Sequence, residues 1–113
     1  MMKTFDFTSR FGTRYEISFE LGNYVAGNLA VSATCREVGE GYWEPYGDLT
    51  VNLPGYAVPP RCAFLDTNNV PDLCDFAVER GWCRLLGAEG RSGFCKYPLA
   101  EFSDEFLEEV CAA

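Results

Sequence analysis

The sequence predicts an α+β domain: an antiparallel β-sheet of about five to seven short strands with two short helices packed on one side. Three observations carry this. Several segments of five to eight residues alternate apolar and polar side chains, the period of a half-buried strand. Only two stretches show helix-start chemistry, and both are short. The chain has 113 residues, 48 % of them apolar and 15 % aromatic, which suits one domain with a single core.

Lys3 to Thr8 and Arg14 to Leu21 form the first expected hairpin, with Ser9-Arg10-Phe11-Gly12 as its turn. In the second arm Tyr15, Ile17, Phe19 and Leu21 alternate with Arg14, Glu16, Ser18 and Glu20. Asn28 to Arg36 repeats the pattern through Leu29, Val31, Ala33 and Cys35, and Gly39-Glu40-Gly41 makes a turn. Asp48 to Leu53 is the next strand, with Tyr46-Gly47 bending the chain before it and Pro54-Gly55 ending it. Arg61 to Leu65 is a short apolar strand.

Thr67-Asn68-Asn69-Val70-Pro71 reads as a helix start, an Asx residue supplying the cap and Pro71 sitting in the first turn. Leu73, Phe76 and Ala77 make the apolar stripe, and Gly81 is the stop. Trp82 to Leu86 and Phe94 to Leu99 are two more strands, joined by a hairpin loop rich in glycine at Gly87, Gly90 and Gly93. Ser103 caps a last helix, Asp104 and Glu105 favour its dipole, and Phe102 with Leu107 suits a hydrophobic staple. Phe106, Leu107, Val110 and Cys111 share its apolar face. No repeat or interdomain linker is visible, so residues 1–113 are expected to form one domain.

The net charge of −8 disfavours direct contact with DNA, RNA or anionic lipid and suits a basic protein surface, although solubility alone also accounts for it. The N-terminus, Met1-Met2-Lys3-Thr4-Phe5-Asp6, lacks the apolar core of an export signal, and no run has the length of a membrane span. A cytoplasmic location is therefore expected, and the six cysteines are expected to be free structural thiols.

Several chemistries fit poorly. The chain has no histidine, which excludes Ser-His-Asp and Cys-His catalysis within it. Cys95 has Lys96 beside it, but neighbours on a strand point to opposite faces. The spacings between Cys35, Cys62, Cys74, Cys83, Cys95 and Cys111 contain no paired zinc ligands. The run Gly87-Ala88-Glu89-Gly90-Arg91-Ser92-Gly93 lacks the lysine placement of a phosphate loop. Asp66-Thr67-Asn68-Asn69 is better suited to capping than to holding a cation. No catalytic residue, metal site or cofactor is expected.

A binding surface is the remaining candidate. Glu101, Asp104, Glu105, Glu108 and Glu109 crowd five acids into the last helix and its approach, with no base among them. Tyr42, Trp43 and Tyr46 are aromatic anchor candidates, although such residues are also ordinary packing material.

Three motifs in order add a resemblance: Leu49-Thr50-Val51-Asn52-Leu53-Pro54; Ala63-Phe64-Leu65-Asp66-Thr67-Asn68-Asn69 with Pro71; and Arg91-Ser92-Gly93-Phe94-Cys95-Lys96-Tyr97-Pro98-Leu99 followed by Phe102. From about residue 3 to residue 107 the chain resembles a family of small uncharacterised proteins, a domain of unknown function carried by conjugative elements, plasmids and phages of gut bacteria, especially Firmicutes. Glu37 to Tyr46 looks like an individual insertion, and the cysteine count is higher than the family's usual pattern. The resemblance implies no activity of its own. By neighbourhood it implies a non-enzymatic protein of a mobile genetic element whose partner is a host defence nuclease, in the manner of anti-CRISPR or antirestriction proteins. The alternative it implies is a structural or regulatory accessory of conjugation or plasmid maintenance; an enzyme using carboxylates or cysteine ranks last.

Overall fold

The computed structural model describes residues 3–25 and 28–112. The two methionines of the N-terminal reading lie outside the described residues. The α+β class is what the chain adopts, but its strands are divided between two sheets. The first has the order β1 (Phe5–Thr8), β2 (Arg14–Asn23), β3 (Leu29–Glu37) and β4 (Glu44–Asp48). The second has the order β5 (Thr50–Val51), β6 (Cys62–Leu65), β8 (Cys95–Phe102) and β7 (Cys83–Ser92). These ladders are antiparallel. A C-terminal strand, β9 (Cys111–Ala112), adds parallel to β2, with Phe19 opposite Cys111.

The division is made at Leu49. The expected strand from Asp48 to Leu53 is reduced to Thr50–Val51, and a separate strand not expected from the sequence, Glu44–Asp48, precedes it, so Tyr46-Gly47 lies inside β4 and does not bend the chain ahead of it. Leu49 is fully buried. Its N–H donates to the Val31 carbonyl (2.9 Å) and its own carbonyl accepts from Asp66 N–H (2.9 Å). One residue therefore bonds to β3 of the first sheet and to the residue just after β6 of the second, and the chain crosses from one to the other with its backbone groups paired. Thr50 reinforces the corner, its hydroxyl accepting from Val31 N–H (3.0 Å).

The main core lies between the sheets. Ile17, Phe19, Val31 and Ala33 meet Ala63, Leu65, Ala100 and Phe102, with Leu73 and Ala77 of helix α1 (Pro71–Glu79) filling the same space. Pro71 opens α1 as expected, but the N-cap is Val70 and no side chain caps it. The Asx chemistry falls one turn earlier: Asp66 accepts from Asn69 N–H (3.1 Å) and Asn69 Nδ2 (2.9 Å). The helix stops at Gly81 (φ 73°), with Gly81 N–H on Val78 O and Trp82 N–H on Ala77 O. This is the paired hydrogen bonding of a Schellman motif, which places its glycine in the left-handed region.

A second, smaller cluster lies elsewhere in the second sheet. Leu53, Phe64 and Tyr97 are buried there beneath Val58 and its loop. The expected glycine-rich loop between the last two long strands is not a loop. Gly87 to Ser92 belong to β7, which runs ten residues with a bulge between Leu85 and Glu89. The hairpin turn is only Gly93-Phe94, because Ser92 and Cys95 already face each other.

Candidate functional site

Ser103 does cap the last helical segment, its hydroxyl accepting from Phe106 N–H (3.1 Å). Phe106 and Val110 are buried and hold the turn against the core. Phe102 stacks on Phe106 (centroids 5.1 Å, 23° between planes). Residues Phe106–Val110 are wound as a π-helical turn, with Cys111 N–H reaching back to Phe106 O before β9 begins. The wider turn lets Cys111 enter the sheet beside Phe19 directly.

This frame separates the five expected acids into two groups. Glu101 is bound by Arg84 (2.9 Å), and Asp104 by Arg61 (2.9 Å). Glu105, Glu108 and Glu109 are exposed, and among the described residues none has a cation within ion-pair distance. Arg61 adopts a left-handed backbone (φ 67°), unusual for a residue with a side chain, and its carbonyl accepts from Phe102 N–H (2.8 Å). Sequence reasoning missed both arginines. They sit far from their partners along the chain, and only sheet pairing brings them close.

The three aromatic candidates also separate. Tyr42 is 83 % exposed. Trp43 is half-buried under the Arg36 guanidinium, 4.9 Å from its ring, and Arg36 also pairs with Glu16 (2.7 Å). Tyr46 is not a free anchor: it packs edge-on to Phe7 and Tyr15 (5.5 Å each), and its hydroxyl donates to Asp72 (3.2 Å). Burial, with Asp72 beside it, pushes that hydroxyl's pKa up, so Tyr46 stays a neutral donor. The acidic turn and Tyr42-Trp43 do not form one surface. The first leads into β9 at one edge of β2, while the second precedes β4, three strand spacings or about 14 Å across the sheet.

The cysteines offer no nucleophile in the core. All six are unpaired, and five are buried. Burial raises the Cys83 thiol to about 11 and the Cys111 thiol to about 12; burial, with Cys83 and nearby aspartates, raises Cys74 to about 12. At neutral pH these groups are protonated and unreactive. Among the described residues no three metal-ligating side chains converge. No helix among them is long and apolar enough to cross a membrane.

Residues 18–113 match the family model described as "Domain of unknown function (DUF4313)". The chain belongs to this family. The match begins within β2, later than residue 3, and extends beyond residue 107 through the acidic turn. No curated protein and no solved structure matches the chain. The family's description names no activity.

Proposed function

We propose that this domain is a non-enzymatic binding protein that presents Glu105, Glu108 and Glu109 to a cationic protein surface. The observation that carries this is the contrast within the acidic segment: two carboxylates are paired with arginines, while three stay exposed, without a partner among the described residues, on a turn held by buried Phe106 and Val110. A fixed row of unpaired charge steers association and pairs with an opposite field. The absence of histidine and the high thiol pKa values in the core support binding over catalysis. With a net charge of −8, the chain suits a basic protein better than nucleic acid itself.

The partner class we propose is the basic nucleic-acid-binding surface of a host defence nuclease, a CRISPR effector or restriction enzyme, with the domain serving a mobile element by occluding that surface. Co-expression with such a nuclease in a plasmid-interference assay tests it. The intact chain should protect the plasmid, and the triple variant Glu105→Lys, Glu108→Lys, Glu109→Lys should not. Equal protection by both, or by neither, removes the acidic turn from the mechanism.

A further inference from the structure

The second sheet ends on a long strand that has no neighbouring strand on its outer side among the described residues. β7 has β8 as its one neighbour in the strand order and runs ten residues without proline. The other edges are short or interrupted: β5 has two residues, and β4 contains Pro45 opposite a register shift. Near the middle of β7 two leucines face solvent, Leu85 at 52 % and Leu86 at 36 % exposure. An open edge bearing apolar side chains favours pairing with another chain.

Charge is distributed along this edge in a particular way. At the hairpin tip, Arg91 and Lys96 are cross-strand neighbours on either side of the turn, and Phe94 between them is fully exposed. Glu89 is the one carboxylate paired there, and only at 3.9 Å from Lys96, so the tip stays positive. At the base, Ser103 N–H bonds to Trp82 O and the chain leads directly into Glu105, Glu108 and Glu109. The seven residue steps from Cys95 to Phe102 place tip and base about 23 Å apart. That exceeds the screening length in physiological salt, so the two charge sets cannot satisfy each other within one molecule.

We propose that the chain associates with a second copy of itself, two-fold and antiparallel along β7, each basic hairpin tip resting on the other's acidic turn. An antiparallel arrangement brings every tip to the opposite base, so the charge contact occurs twice and the assembly closes as a dimer. Leu85 and Leu86 then lie near the two-fold axis and cover each other. The bulge between Leu85 and Glu89 prevents a continuous ladder from one β7 to the next. Tyr56 does the same at the tip, its hydroxyl accepting from Arg91 N–H (2.9 Å). Side chains and charge therefore carry the contact, which makes it weak, reversible and sensitive to salt. This proposal does not depend on a foreign partner, but it uses the same carboxylates, so the dimer and a cationic partner would exclude each other.

Sedimentation velocity of the full chain tests it. At low ionic strength the mass should rise with concentration from 12.6 kDa toward twice that value, and return to monomer in about 0.5 M salt. Arg91→Glu with Lys96→Glu should weaken dimerisation roughly tenfold or more, as should the Glu105→Lys, Glu108→Lys, Glu109→Lys variant. All five changes in one chain should restore it, because the charges are exchanged and not lost. A monomer at every concentration in low salt would overturn the proposal without any variant. So would a dimer that both partial variants leave intact, or a combined variant that stays monomeric.

Discussion

At its base the β7–β8 hairpin is locked into the main core, whereas toward its tip it leans on a separate cluster of three buried side chains. Trp82, just before β7, has the rings of Phe5, Phe19, Phe76 and Phe106 within 5.5 Å, and the Arg80 guanidinium lies 4.9 Å from its ring. The tip has Leu53, Phe64 and Tyr97, with Tyr56 edge-on to Phe64 at 5.3 Å. Two strands of one ladder thus end in unequal packing. Regions with few buried contacts open at lower free energy than the core, so the tip should loosen while the base holds. Charge also differs along this axis: Arg91 and Lys96 lie at the loosely packed end, and the rigid end leads into the exposed Glu105, Glu108 and Glu109.

The largest effect is expected at the base. Trp82→Ala should destabilise the whole domain by about 3–5 kcal/mol, seen as a lower urea midpoint for every probe. Alkaline pH attacks the same region. The Cys83 thiol, normally near 9, titrates near 11 in the folded state. Its neutral form is favoured on folding, so stability is full below about pH 9 and falls as pH rises toward 11. The slope is about 1.4 kcal/mol per pH unit. Denaturation at several pH values should show a shallower loss for Cys83→Ala over that window.

Gly90→Ala acts at the other end of the hairpin. An added Cβ would stand 2.7 Å from Leu53 Cδ1 and 2.9 Å from Phe64 Cε1, so the close approach of β7 to the small cluster requires glycine. We expect a loss of about 1–3 kcal/mol. Hydrogen exchange should accelerate at amides 89–97 and stay slow at 99–102; equal acceleration at both would show that tip and base unfold together. Tyr56→Phe should cost least, about 1 kcal/mol, by removing the hydroxyl that accepts from Arg91 N–H.

Much of the fold was legible because its signals are local. Alternation located β1, β2 and β3 to within two residues, a short apolar run located β6, and Pro71, Gly81 and Ser103 marked their helix boundaries. The glycines from Gly87 to Gly93 misled, because a strand pressed against Leu53 and Phe64 has the same composition as a loop. The site was half legible. Glu105, Glu108 and Glu109 stand out as a run of charge, but nothing near Glu101 or Asp104 announces Arg84 or Arg61.

The order of the amino acids was enough for most of the extended segments, β4 and the glycine-rich half of β7 excepted, and for where helices start and stop, since these follow from side chains within a few residues of one another; the lack of histidine was enough to rule out imidazole chemistry within the chain. Tertiary structure alone decided the rest. It split the sheet at Leu49, packed Tyr46 against the core, paired two of five acids with arginines, and set Arg91 and Lys96 at the tip of a hairpin whose base leads into Glu105, Glu108 and Glu109. Those outcomes depend on which distant strands bury each other's apolar faces, a choice made by the whole core and not by any local pattern.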